Sequence, residues 1–200
     1  MSEMELLNMS TNTQENSPKI SNTGKILLGF TGGVALGLTA ICAPFVTPAL
    51  RKFCLPYIPA TNQQMSNILK ALEGRRGLLL DIGSGDGRIV LETAGKNFVS
   101  HGVELNPWLV LWSKFSAARK GIRNAKFFRK DLWKYDLGKY DNVVIFGVEQ
   151  MMADLEKKFE IECKSDCNII VCRFPLPNKT PIKTIGSGID TVWIYNMGSR

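Results

Sequence analysis

Asp81-Ile82-Gly83-Ser84-Gly85-Asp86-Gly87-Arg88 is the stretch that decides the fold of this 200-residue chain. The apolar run Gly77-Leu78-Leu79-Leu80 precedes it, and Ile89-Val90-Leu91 follows. This reads as a strand, a glycine-rich turn and a helix start. Glycine tolerates positive φ and lets a ligand approach the backbone. A helix N-terminus offers free N–H groups. Together they make the layout of a nucleotide-type cofactor site.

The spacing narrows the cofactor. A dinucleotide turn reads G-x-G-x-x-G, and its acid follows the next strand. Here the glycines stand at 83, 85 and 87, Arg88 holds the place of the third dinucleotide glycine, and Asp81 already ends the strand. Asp-x-Gly-x-Gly-x-Gly resembles the first motif of Rossmann-like S-adenosylmethionine (SAM)-dependent methyltransferases. In that family the turn lies against the methionine part of the cofactor. SAM carries a cationic ammonium and sulfonium and no phosphate, so a carboxylate suits it and would repel a pyrophosphate. The resemblance puts Asp81, Gly83, Ser84, Gly85 and Gly87 at the cofactor. A dinucleotide turn and a plain glycine-rich turn of an unrelated α/β domain are the competing readings.

Beyond the turn, helical and strand patterns alternate. Helices are expected over Ile89–Ala94, Pro107–Arg119 and Met151–Glu162. Strands are expected over Val99–Glu104, Ala125–Phe128, Asn142–Phe146, Asn168–Cys172 and Asp190–Tyr195. Asn106 is the expected N-cap of the second helix, with Pro107 in its first turn. The alternation implies an α/β fold with a mainly parallel sheet covered on both faces. Ahead of it, Thr61 and Gln64 read as a capping box. Met65, Ile68, Leu69 and Leu72 then form an apolar face, with Gly74 at the C-terminal cap.

Three more acidic or polar segments follow strands. Glu104 ends the second strand, 23 residues after Asp81, where a carboxylate accepts from ribose hydroxyls. Asp131 and Leu132 follow the third strand. In SAM enzymes an acid here meets the adenine amino group, and the next residue's backbone meets a ring nitrogen; the plain alternative is a loop aspartate capping a turn. Trp133 and Trp108 read either as adenine or ribose contacts or as ordinary packing. Gly147–Gln150 follow the fourth strand, so the transferred methyl should lie there. Glu149 and Gln150 are the nearest polar candidates to assist the acceptor; the competing role is capping a helix that begins near Met151. The Asn/Asp-Pro-Pro-Tyr run of base-amino methyltransferases is absent from this position.

The formal charge is +7 and the pI about 9.2. The basic residues do not form one long run, so a solvated basic surface is the default expectation. Five cysteines, none in C-x-x-C spacing, and a single His101 argue against a zinc site and for reduced thiols. His101 is expected at a strand edge.

The N-terminal quarter differs in kind. Residues 1–24 are polar and read as a disordered tail. From Ile26 to Leu50 no residue is charged; Lys25 precedes the run, and Arg51 and Lys52 follow. Pro44 and Pro48 should interrupt a helix, leaving Ile26–Ala43, about 27 Å long, as a membrane helix. Gly29, Gly33 and Gly37 share one face. The organisation reads as tail 1–24, transmembrane segment 25–52, linker and amphipathic helix 53–76, and catalytic domain 77–200. Arg51–Ala60 holds two prolines and extends at most about 33–36 Å.

Taken together the chain resembles the mitochondrial lysine methyltransferases of membrane carriers and of the ATP synthase c-subunit, nearer the ATP synthase branch. The pieces are DIGSGDGRIV (81–90), GVELNPWLV (102–110), KDLWK (130–134), NVVIFGVEQMM (142–152), CRFPLP (172–177), GIDTVWIY (188–195) and the pre-domain APFVTPALRKFCLPYIPAT (43–61). The resemblance implies a SAM-dependent protein-lysine N-methyltransferase with no metal. It implies the c-subunit of ATP synthase as substrate, a single-pass site in the mitochondrial inner (crista) membrane, and no nucleic-acid partner. An RNA or small-molecule methyltransferase and a silent assembly protein of the same fold are the alternatives. Asn178 replaces the family's tryptophan in P-x-W-x-P. The chain also ends soon after Tyr195, where relatives tend to continue into another strand. Both departures bear on sheet closure and substrate contacts at that edge.

Overall fold

The computed structural model describes residues 21–46 and 58–198. The chain divides into two compact units after Ile41. The first contains most of helix α1, Asn22–Val46. Ser21 starts it: its hydroxyl accepts from Gly24 N at 3.1 Å and its carbonyl from Lys25 N at 3.0 Å. The helix therefore begins within the stretch read as tail. It also continues through Pro44 for two further residues, although a proline there forgoes one i→i−4 hydrogen bond. Thr31 and Thr39 return their hydroxyls to Leu27 O and Ala35 O. Asn22–Pro44 is one candidate membrane span by length and composition. At ~1.5 Å per residue it exceeds a ~30 Å hydrocarbon core. The expected tail before Ser21, and Pro48, Cys54 and most of the expected linker, lie outside the described residues.

The second unit is built on seven strands in the order β3-β2-β1-β4-β5-β7-β6. These are β1 Leu78–Ile82, β2 Val99–Glu104, β3 Ala125–Arg129, β4 Asn142–Phe146, β5 Asn168–Cys172, β6 Lys183–Ile185 and β7 Val192–Asn196. The first five run parallel; β7 is antiparallel to β5 and β6. Central strands β1, β4 and β5 are near-continuous apolar runs because both their faces are covered.

Helices α2 Asn62–Ala71, α3 Arg88–Ala94, α4 Pro107–Arg119 and α5 Glu149–Glu162 cover the sheet. Leu80, Ile82, Val143, Ile145, Ile169 and Val171 pack against Met151, Leu155 and Phe159 of α5. Their strand neighbours Leu79, Val144 and Ile170 pack against Met65 and Ile68 of α2 and Ile89 of α3. α4 joins α3 over Phe127 of β3. The helix α2 is thus part of the sheet's own core. Thr61 caps it, accepting from Gln64 N at 3.0 Å. The reciprocal half of the capping box is not formed. Gln64 is fully buried and turns its amide to Ile189 O at 3.2 Å, while Thr61 donates to Asp190 at 2.6 Å. The loop before β7 takes both side chains. The last helical cap is Leu72, with Gly74 at φ 75° two residues on.

The far edge of the sheet is closed by β7 and by β6, a short, mostly exposed strand that polar Lys183 and Thr184 hide from apolar patterning. Asn178 N donates to Glu156 at 3.0 Å, tying the CRFPLP segment to α5. His101 is not at a strand edge. It lies inside β2, buried, with Nδ1 2.9 Å from the Tyr140 hydroxyl. Burial, then Lys139 and Lys126, hold its pKa below the usual imidazole value.

Candidate functional site

β1 delivers Asp81 to the start of the glycine turn. The turn then folds across β2: Gly83 N and Ser84 N donate to Val103 O at 2.9 and 3.1 Å. Gly83, Gly85 and Gly87 all have positive φ, at 74°, 52° and 80°. Gly87 is needed twice over, since a Cβ there would stand 2.6 Å from the Phe127 ring and 2.7 Å from Ser113 Oγ. Gly102 on β2 makes room in the same way, because its Cβ would lie 2.6 Å from Ser84 Oγ. Nothing in the spacing of β2 singles out Gly102; only the neighbouring strand reveals it.

Glu104 joins the two motifs. Its Oε2 accepts from Gly85 N at 3.1 Å, and its Oε1 accepts from Leu105 N at 2.7 Å and Asn106 N at 2.8 Å. Three backbone N–H groups thus orient one carboxylate, leaving about one of its four acceptor positions for a ligand. Asn106 caps α4 through Trp108 N at 3.0 Å, with Pro107 at the first helical position.

Asp81 is the anomalous group. It is 1% exposed, and its Oδ1 has no hydrogen-bond partner among the described residues. Burial first, then the carboxylates of Glu104 and Asp86, push its pKa well above the usual carboxylate range. Ser84 Oγ is likewise buried without a partner among them. A buried carboxylate oxygen and hydroxyl left unmatched are costly. Both sit in a glycine turn that leaves the backbone bare. A ligand bringing a cation and a donor would satisfy them, and SAM brings an ammonium; the residues present fit that group.

The third segment follows β3, the strand beside β2. Lys130 N donates to Glu104 O at 3.2 Å, which links the third segment to the second. Asp131 caps a short 3-10 turn, Leu132–Lys134, accepting from Trp133 N at 3.1 Å. Leu132 is buried and Trp133 packs against the core, whereas Trp108 is exposed on α4. The fourth segment differs from its expected form. α5 begins at Glu149, with Val148 at the N-cap and no side-chain cap. Glu149 and Gln150 are exposed in the first turn, so neither caps the helix. Glu149 instead sits favourably at the positive end of the helix. Gly147 is buried, and its Cβ would meet Met152 Sδ at 2.4 Å.

Arg173 lies in the CRFPLP stretch without being a candidate site residue, and it has φ 75°, an uncommon conformation for a side-chain-bearing residue. It follows β5 at the same carboxyl edge as the site, and its Nε is buried without a partner among the described residues. Burial above all holds the neighbouring Cys172 thiol well above its ordinary value; the Asp81 charge adds to the rise and the Arg173 charge opposes it. The CRFPLP resemblance covers Arg173, but only the fold shows its left-handed backbone and its buried Nε.

Residues 81–183 match the ANTKMT methyltransferase domain. Residues 20–51 match the ATP synthase C-subunit lysine N-methyltransferase N-terminal domain. The chain is 54% identical over 182 residues to the human ATP synthase C-subunit lysine N-methyltransferase, covering 90% of this chain and 78% of the relative. The chain belongs to the ATP synthase C-subunit lysine N-methyltransferase family. Identity to the mouse adenine nucleotide translocase lysine N-methyltransferase is lower, 37% over 171 residues, covering 82% and 75% of the two chains. The resemblance to the ATP synthase branch is therefore the closer of these two. Among solved structures, an RNA methyltransferase from Salinibacter ruber, complexed with S-adenosyl-L-homocysteine, superposes with a TM-score of 0.67. It is 22% identical and covers 72% of this chain and 95% of that one. That likeness establishes the methyltransferase fold for this member of the family.

Proposed function

We propose that this protein is a SAM-dependent protein-lysine N-methyltransferase of the mitochondrial inner membrane whose substrate is the c-subunit of ATP synthase. One observation carries the cofactor assignment: a buried, unmatched carboxylate, Asp81, in a glycine turn whose backbone is tied to Glu104. Family membership and the names of the relatives carry the substrate assignment. The candidate span Asn22–Pro44 supports a single-pass anchor followed by a linker and a catalytic domain.

SAM, when bound, supplies an electrophilic methyl group on a sulfonium. Asp81, with Ser84 and the bare backbone of Gly83, Gly85 and Gly87, would hold the methionine part. Glu104 would offer its remaining acceptor position to the ribose. Asp131 and the Leu132 backbone would meet the adenine. The acceptor amine must be neutral, and a free lysine with pKa ~10.4 is about 0.4% neutral near pH 8. Glu149 and Gln150 stand exposed beyond the carboxyl end of β4, where an incoming lysine side chain would arrive. Glu149 is the group assigned to take the ammonium proton, and Gln150 to orient the amine. Positioning supplies the rest of the rate.

The test uses purified full-length protein, tritiated SAM, inner-membrane fractions and total RNA side by side. Label is expected in a small membrane protein, with steps of about 14 daltons on one lysine by mass spectrometry. Label in RNA alone would overturn the assignment.

A further inference from the structure

The outer face of α4 is apolar. Trp108, Leu111, Trp112 and Phe115 recur at the spacing of one helical face, and each is 41–58% exposed. The Trp112 and Phe115 rings lie 6.0 Å apart on that face. The opposite face, Val110, Ser113 and Ala117, is the buried one.

The charge of the chain is gathered around this helix. From Leu105 to Lys130 there is no Asp or Glu, while Lys114, Arg119, Lys120, Arg123, Lys126, Arg129 and Lys130 are all basic. These seven equal the +7 of the entire chain, so the remaining residues balance to zero. All seven are exposed. None has an ion-pair partner among the described residues. They do not stand in one run, and sequence alone suggested a diffuse basic surface. The fold places them on α4, the turn after it, β3 at the sheet edge, and the residue that follows β3.

An exposed helix face carrying two tryptophans, a leucine and a phenylalanine marks an interaction surface. Trp, Leu and Phe on one side with Lys and Arg alongside is the make-up of a helix lying in lipid headgroups. The same polypeptide carries the candidate span Asn22–Pro44. Residues 47–61, between α1 and α2, extend at most about 50–54 Å, so a bilayer holding α1 is always within reach.

We propose that the outer face of α4 docks on an anionic bilayer surface. Trp108, Leu111, Trp112 and Phe115 enter the headgroup region, and Lys114, Arg119, Lys120 and Arg123 meet the lipid charge. The inference rests on the membrane reading of α1 given above. Because α4 starts three residues after Glu104, docking sets the ribose end of the candidate site beside the lipid. A lysine just outside the bilayer would be presented there.

The test reconstitutes the full chain in vesicles of phosphatidylcholine, with or without phosphatidylglycerol. Trp133→Phe with Trp193→Phe leaves Trp108 and Trp112 as the reporters. Trp112→Phe alone gives the same signal by difference if the double variant misfolds. Brominated acyl chains quench indoles that enter the bilayer, and acrylamide quenches those in water. Bromolipid quenching is expected, stronger with anionic lipid and weaker as salt rises. Each basic residue replaced by Gln in a Lys114, Arg119, Lys120 and Arg123 series should weaken the contact about fivefold. Indoles open to acrylamide and untouched by bromolipid would overturn the proposal. Indoles shielded from both would also overturn it, assigning the face to a second copy or another protein. Carbonate extraction of the same vesicles separates the two readings. Release of the protein sinks the anchor, whereas retention with unquenched indoles sinks only the docking.

Discussion

Asp81 makes the candidate site pH-sensitive, and the sign follows from its surroundings. Burial and two neighbouring carboxylates favour the protonated form in the ligand-free protein. A cationic ligand favours the ionised form. Cofactor binding should therefore release a proton and tighten as pH rises through the raised pKa. Calorimetry in buffers of different ionisation enthalpy reads that proton, and Asp81→Asn should abolish it with a roughly 10–100-fold loss of affinity. The linkage to stability runs the same way. A raised folded-state pKa contributes stability that is whole below the unfolded value of ~3.9 and lost as pH climbs through the folded value. The ligand-free melting temperature should thus fall across that window in the wild type, with Asp81→Asn flattening the slope. Gly87 and Gly102 separate backbone strain from crowding. Gly87→Ala forces a side chain at φ 80° into Phe127 and should cost about 2–3 kcal/mol of stability. Gly102→Ala has no positive φ to contend with but displaces Ser84 and presses on the Phe127 ring edge, so its expected effect is weaker cofactor binding with a smaller fall in melting temperature.

At the scale of elements, α2 does more than its pattern indicates. Its apolar period shows a core face and not which core. In the fold it lies on the same sheet face as α3 and is stitched to the loop before β7 by Thr61, Gln64 and Asn67, the last donating to Asp190 O at 2.9 Å. Thr61→Ala removes both the helix cap and the bond to Asp190. It should lower stability by about 1–2 kcal/mol in denaturant titration. A change below a few tenths of that would mean the loop holds α2 without it. Strands β1, β4 and β5 were legible as apolar runs too short for a helix and rich in leucine or β-branched residues. β6 was not, because two of its three residues are exposed and only pairing with β7 makes it a strand.

At the scale of the molecule, the two units differ in kind. α1 is uncharged after Lys25 and exposed over residues 25–43, whereas the second unit buries a conventional two-faced core. Deleting residues 22–46 is expected to leave a protein that binds cofactor but is extracted from mitochondrial membranes by carbonate, and to slow methylation of a membrane-embedded substrate through lost effective concentration. Carbonate resistance in the truncated protein would remove α1 from the account of membrane attachment.

The order of residues by itself determined the alternation of strands and helices, the glycine turn, the acids at strand ends and the long apolar segment. Each is a local pattern, set by the reach of a few side chains along one backbone. Tertiary structure decided what depends on segments far apart in the chain. It tied Glu104 to the turn through Gly85 N and buried Asp81 with no partner for its Oδ1 among the described residues. It required glycine at 102 because Ser84 crosses there, and strained Arg173 beside Cys172. It also turned scattered lysines and arginines into one charged edge around an exposed aromatic face. Contacts between strands, and the burial they impose, have no signature in the spacing of either strand alone.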